Sequence, residues 1–206
     1  DDLIFNGTGA LSVTGNYKDG IKTKDSLKVM NGNINVKSAD DGIIGKDDVS
    51  VYGGTLTINA AGDGLKATND TESERGYVTL DSGTLSITSG ADSIQAVTSV
   101  NIADGVLKLV SGGGSTTVLA ADASAKCIKT LKLVISGGDI TLDSADDAIN
   151  ADGAVVINDG TLNITSATDA IQSETTINII DGVFDIKSGG GSSAVVGTDV
   201  SAKGIK

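Results

Sequence analysis

SADDGI at 38–43, AAGDGL at 60–65, SGADSI at 89–94, SADDAI at 144–149 and SATDAI at 166–171 are variants of one six-residue phrase. Asp19, Asp41 and Asp63 fall at intervals of 22 residues. Each phrase follows an alternating apolar pair such as Ile34/Val36, Leu56/Ile58, Leu85/Ile87, Ile140/Leu142 or Leu162/Ile164. Beyond it comes another pair, as in Leu27/Val29, Val49/Val51, Val78/Leu80, Val100/Ile102 or Ile177/Ile179. Period-two alternation over a few residues, punctuated by N-G, D-G and G-G turns, predicts strands, and one unit holds three of them. Such short strands cannot stand alone, but stacked units let each pair with its counterpart above and below.

The expected fold is therefore all-β: a right-handed parallel β-helix, a three-sided solenoid with about 22 residues per rung. Eight rungs begin near Asp1, Asp25, Asp47, Gly76, Thr98, Thr130, Asp152 and Glu174, giving a rod about 38 Å long at the strand spacing of roughly 4.8 Å. The nine-residue calcium roll, the leucine-rich frame and the hexapeptide helix have other periods. The expected inward stacks are Leu11, Ile34, Leu56, Leu85, Leu107, Ile140, Leu162 and Phe184, and Ile21, Ile43, Leu65, Ile94, Ile128, Ile149, Ile171 and Ile205. Residues 83–129 and 160–206 are a larger duplication, identical at 27 of 47 positions, and both copies carry SGGGS, an insertion of about ten residues and then SAK. The expectation is a single segment over 1–206. Because its first and last residues meet the repeat in phase, it is expected to belong to a longer chain or a head-to-tail stack.

Composition agrees with thin, repetitive packing. There are 28 glycines, no proline, no tryptophan, no histidine and only five aromatic residues, so the core must be aliphatic. The net charge of −12 argues against nucleic acid and anionic lipid as partners. No apolar run approaches the roughly 20 residues of a membrane span, so no membrane insertion is expected. Of 27 acidic residues 24 are Asp, the acid of turns and of hard-cation sites rather than of helices. The single Cys127 excludes an internal disulfide.

One position per repeat, just before the third strand, presents Asp19, Asp41, Asp63, Asp92, Lys126, Asp147, Asp169 and Lys203, with Asp40 and Asp146 doubling two of the repeats. Carboxylates about 4.8 Å apart repel by about 3 kcal/mol at an effective dielectric of 20, so the ladder needs neutralising. Ca²⁺ takes six to eight oxygens and suits Asp-rich glycine turns, whereas zinc would want the His or Cys that the chain lacks. The alternative is that these Asp residues make Asx turns satisfied by backbone N–H groups. Lys126 and Lys203 are expected to bridge neighbouring Asp residues. Outward on the third strand stand Lys22, Ile44, Lys66, Gln95, Lys129, Asn150, Gln172 and Lys206. Lysines beside an acidic, calcium-loaded edge suit uronate polysaccharides, although such lysines can equally balance local acids on a solvated face. The two insertions are expected to wall a shallow cleft holding Asp146, Asp147, Asp169, Asn150 and Gln172.

The succession NGTGALSVTGNYKDGI (6–21), GKDD (45–48), GDGLKATND (62–70), GYVTL (76–80), SGGGS and SAKGIK (201–206) resembles the bacterial secreted carbohydrate-binding β-helix family over essentially the whole chain. That resemblance implies a pectate-lyase-like fold, bound calcium, an extracellular or cell-surface location and a polysaccharide partner, uronate-containing or cellulose. The chain departs from the family at Ile44, where a basic residue is usual, and at Asn150, where a His is usual. The leading expectation is a non-catalytic, calcium-dependent polysaccharide-binding module whose ligand residues are Lys22, Lys66, Asn150 and Gln172. One rival is a pectate lyase with Lys22 or Lys66 as the base at the uronate C5. Another is a surface fibre assembled by head-to-tail self-association. An ice-binding face through Ser12/Thr14, Thr57/Asn59, Ser86/Thr88 and Asn163/Thr165 is disfavoured, because Lys37, Lys108, Asp185 and Lys187 interrupt it.

Overall fold

The computed structural model describes residues 1–120, 122–190 and 202–206. Its described residues contain strands and turns and no helix. The strands gather into two parallel sheets, one of eight strands and one of thirteen. The three-sided β-helix is therefore corrected to a two-sheet architecture.

The eight-stranded sheet is regular. It runs in chain order through Ala10–Gly15, Asn33–Ser38, Thr55–Ala60, Thr84–Ser89, Val106–Ser111, Asp139–Ser144, Thr161–Ser166 and Val183–Lys187. Each strand pairs in register with the corresponding strand of the next repeat. Exposed and buried residues alternate strictly along Asn33–Ser38 and Thr55–Ala60, as period two requires of a sheet with one face on a core.

The thirteen-stranded sheet collects the other two strands of every repeat, and here the expectation of separate faces fails. Ile94–Ile102 and Ile128–Ile135 run unbroken through the bend where a side was expected to end. The bend is absorbed as a register shift between Ala96 and Ser99, a bulge of the kind that turns a strand without ending it. Nine residues separate Leu65–Ala67 from Tyr77–Leu80, but in the two repeats before them only two residues separate the consecutive strands, as between Ile21–Thr23 and Ser26–Val29. A bend that short leaves both segments in one sheet.

The apolar stacks lie between the sheets. Leu11, Ile34, Leu56, Leu85, Leu107, Ile140, Leu162 and Phe184 align through successive registers. The second stack aligns likewise from Ile21 to Ile171, with Ile205 bridging Ile171. Members in the middle are fully buried, whereas Leu11 and Ile205 at the ends are 37% and 49% exposed. Tight approach of neighbouring repeats fixes some glycines: a side chain at Gly54, whose φ is +88°, would meet the Gly32 carbonyl at 2.5 Å.

The two sheets differ on their outer faces. Outward side chains of the eight-stranded sheet are mostly exposed, whereas those of the thirteen-stranded sheet range from exposed, as at Lys22 and Lys132, to buried, as at Ile44, Asp48 and Ser50. No helix long and apolar enough to cross a membrane is present among the described residues.

Candidate carbohydrate-binding edge

In four of the five repeated phrases the Asp is delivered by a serine turn. Ser38 Oγ donates to the Asp40 carbonyl at 2.9 Å, Ser89 to Ala91 at 2.9 Å, Ser144 to Asp147 at 2.8 Å and Ser166 to Thr168 at 2.9 Å. These serines are buried and close the turn from one sheet to the other, the local competition with strand pairing in which Ser excels. The Ser that opens four of the five phrases was the available signal for this role, which sequence reasoning missed.

The turns place the carboxylates in line, and the backbone of the following repeat meets them. Asp63 N–H donates to Asp41 Oδ1 at 2.8 Å, Asp92 N–H to Asp63 Oδ1 at 2.9 Å and Lys126 N–H to Asp92 Oδ1 at 2.8 Å. After one break the pattern resumes: Asp169 N–H donates to Asp147 Oδ1 at 3.0 Å and Lys203 N–H to Asp169 Oδ1 at 2.7 Å. The second oxygen faces the lysine column. Lys22 lies 3.1 Å from Asp19, Lys66 2.6 Å from Asp63 and 3.2 Å from Asp41, Lys129 3.9 Å from Asp92 and Lys206 3.1 Å from Asp169. Through most of its length the ladder is thus neutralised from within, an amide on one oxygen and an ammonium on the other.

Lys66 serves two repeats because Ile44 stands where Asp41 would otherwise find its own lysine. Burial alone would lower the Lys66 pKa, but the Asp63 and Asp41 carboxylates outweigh it and hold the ammonium above its ordinary value. Asp92 goes the other way: burial raises its pKa, and the Lys126 amide offsets this only in part.

The two doubled pairs differ. At Asp146/Asp147 the Lys126 ammonium sits 2.5 Å from Asp146 Oδ2 and 4.0 Å from Asp147 Oδ2. Burial would raise the Asp146 pKa, yet Lys126 holds it below the usual value. Thr168 Oγ1 donates to Asp147 Oδ1 at 2.6 Å and Asn150 Nδ2 to Asp147 Oδ2 at 3.2 Å, so this pair is enclosed by donors. At Asp40/Asp41 the ladder position one repeat earlier is Asp19 rather than a lysine. Carboxylate oxygens of Asp19, Asp40 and Asp41 lie within 4.8 Å of one another, the one such triad of metal-capable groups among the described residues. Asp40 is exposed. Three carboxylates converging at an outer turn suit a hard, oxygen-preferring cation.

Gln172 stands in the same column as Lys129 and Asn150 but donates to Glu174 at 3.1 Å rather than to a ladder carboxylate. The first insertion folds back to the sheet through Ser115 N–H, which donates to Asp143 Oδ1 at 2.7 Å. The second insertion falls on 191–201, outside the described residues, so the two-walled cleft has one described wall. A further polar cluster went unnoticed in the sequence. Buried Asp47 accepts from Arg75 at 2.6 Å and from Asn69 at 2.8 Å, pinning the 69–76 turn, while buried Asp48 accepts from Ser26 and from Ser50. GKDD marked the place without marking the role. Cys127 is buried and its thiol is pushed up to about 12, chiefly by that burial.

Among known proteins, a family model described as carbohydrate-binding domain-containing protein matches residues 1–167 and 151–206, which together span the chain. Neither the comparison with curated proteins nor that with solved structures found a match. With its full length covered by that model, the chain belongs to the carbohydrate-binding domain-containing protein family.

Proposed function

We propose that the chain is a non-catalytic module that holds uronate-containing cell-wall polysaccharide outside the cell, with Ca²⁺ shared between the protein and the sugar carboxylates. The observation that carries this reading is the contrast between the two doubled pairs. Lys126 bridges Asp146 and Asp147, and Thr168 and Asn150 donate to the charge that is left; where Asp19 replaces that lysine, three carboxylates converge, Lys22 pairs with Asp19, and Lys66 reaches Asp41 while shared with Asp63. A divalent cation at the triad would offset the repulsion and leave coordination positions for a ligand. The adjoining lysines would steer the uronate chain and contact carboxylates that calcium does not reach.

The same geometry argues against Lys66 as an eliminase base. Abstracting the C5 proton needs a neutral amine, and Lys66 is held as an ammonium by two carboxylates. Lys22 is exposed and ion-paired with Asp19 at 3.1 Å. The test is affinity electrophoresis through polygalacturonate in calcium and in chelator, alongside ultraviolet detection of unsaturated product. Calcium-dependent retardation that Asp40→Asn abolishes, with no product formed, is expected. Retardation indifferent to chelator and to Asp40→Asn would overturn the proposal.

A further inference from the structure

The turns that lead into the eight-stranded sheet hold reactive groups that the binding edge does not use. Asn6–Gly7 and Asn31–Gly32 are the two Asn–Gly pairs of the chain. Asn31 stands exposed just ahead of the strand Asn33–Ser38, and Gly32 has a φ of +124°, a conformation that suits glycine and leaves the nitrogen without a Cβ beside it. The Gly32 N–H donates to Asn31 Oδ1 at 2.8 Å, the one hydrogen bond of that side chain among the described residues. A main-chain nitrogen is thus held against the carboxamide of the residue before it, and rotation about the exposed Cβ–Cγ bond turns the carboxamide carbon toward that nitrogen. The same turn recurs with aspartate in place of asparagine. Asp104–Gly105, Asp159–Gly160 and Asp181–Gly182 stand likewise just ahead of their strands, with glycine φ values of +118°, +129° and +122°. In each the glycine N–H donates to the preceding Asp Oδ1, at 2.7, 2.7 and 2.8 Å. An aspartate at position 31 would find its turn already built three times in the same molecule.

We propose that Asn31 is a site of spontaneous modification, converted to aspartate in the folded protein by its own backbone and water. Asparagine is a thermolabile residue, and here the atoms that react are neighbours. The Gly32 nitrogen bonds to Asn31 Cγ as the Cγ–Nδ2 bond breaks, and the Gly32 amide proton leaves with the carboxamide nitrogen as ammonia. The cyclic imide that results takes up one water. Opening between Cγ and the Gly32 nitrogen restores the peptide and leaves aspartate. Opening at the other carbonyl routes the main chain through Cγ and leaves isoaspartate, one main-chain atom longer. The fold separates these products, because the chain on both sides of the pair is pinned to neighbouring repeats. Met30 N–H donates to the Phe5 carbonyl at 2.8 Å, Asn33 N–H to the Gly9 carbonyl at 2.9 Å and Thr55 N–H to the Gly32 carbonyl at 2.8 Å. An added main-chain atom breaks that register, whereas aspartate keeps it. Isoaspartate in the folded chain therefore returns through the imide, and aspartate accumulates. The conversion adds one negative charge to the outer turns that already carry Asp104, Asp159 and Asp181, and it depends neither on calcium nor on carbohydrate.

Native protein is held in mildly alkaline buffer made with heavy-oxygen water, and a second sample is held there in denaturant. Both are then digested and mapped by mass spectrometry, with isoaspartate counted by an isoaspartyl methyltransferase. The folded sample should convert Asn31 with one heavy oxygen taken up, mostly as aspartate, while the denatured sample should give mostly isoaspartate. Asn31→Asp, the product in advance, should keep the native melting temperature. Asn31→Gln, whose longer side chain would have to close a larger ring, should gain no heavy oxygen over the same time. Asn31 left intact in folded protein while the denatured chain converts would overturn the proposal, as would conversion at Asn6 with Asn31 unchanged. Isoaspartate as the main folded product, or a lower melting temperature for Asn31→Asp, would show that the turn does not accommodate the acid and would overturn it too.

Discussion

Replacing Asp63 by alanine and, separately, by asparagine isolates what the internal ladder contributes. Asp63 is 7% exposed; its Oδ1 accepts the Asp92 amide at 2.9 Å and its Oδ2 lies 2.6 Å from Lys66. Both substitutions remove the negative charge, so both lose the partly exposed Lys66 pair, worth at most about 1 kcal/mol, and both relieve repulsion with Asp41 and Asp92. Only alanine removes the oxygen that satisfies the buried Asp92 N–H, and an unsatisfied buried donor costs about 1–3 kcal/mol. Asp63→Ala should therefore be less stable than Asp63→Asn by about 1–3 kcal/mol, read from chemical denaturation followed by circular dichroism. At this chain length each kcal/mol moves the melting temperature by about 2–4 °C. If the two variants unfold at the same midpoint, the carboxylate ladder is not a hydrogen-bonded element of the fold and its neutralisation from within is wrong.

Leu85→Ala, in the middle of an apolar stack and 3% exposed, should cost roughly 2–5 kcal/mol, whereas Leu11→Ala at the 37% exposed end should cost under about 1 kcal/mol, both by denaturant titration. Stability against pH should show two opposed carboxylates. The folded pKa of Asp92 is raised, so its ionisation weakens the fold as pH rises through that value, and Asp92→Asn should stabilise the protein at neutral pH. The folded pKa of Asp146 is depressed by Lys126, so its contribution is complete above the ordinary carboxylate pKa and is lost as pH falls through the folded value. Lys126→Met should remove that acid-limb contribution from the stability profile. Cys127, buried and pushed up to about 12, should resist a thiol-specific reagent in native protein and react on denaturation; reaction at the same rate in both states would contradict its placement.

The sequence made the repeat, the inward stacks and the carboxylate line legible because all three obey simple periods. Leu56 and Leu85 announce a core by alternation alone, and Asp41 and Asp63 announce a shared turn by spacing. The number of sheets was not legible, because it depends on whether two or three residues near Val97 and Thr98 end a strand or bend it, and neither alternation nor composition distinguishes those outcomes. Partner choice within the site was hidden for a related reason. Lys66 reaches back one repeat to Asp41 because Ile44 leaves that place open, and Lys126 fills the Asp146/Asp147 turn from the repeat before. Such contacts cross between repeats, where linear spacing fixes proximity but not which of two carboxylates a long side chain chooses. The serine turns were visible as letters and overlooked as chemistry, since Ser144 and its counterparts are small, buried and uncharged.

The central claim is that a carbohydrate-binding edge works through a cation held at Asp19, Asp40 and Asp41. Calorimetric titration of oligogalacturonate into the protein, in calcium and again in chelator, tests it most directly. Binding heat in calcium that disappears in chelator, and that Asp40→Asn removes in calcium, is the predicted result. The same heat with and without calcium, weakening only as salt is added, would mean that the lysines alone hold the ligand and would contradict the account.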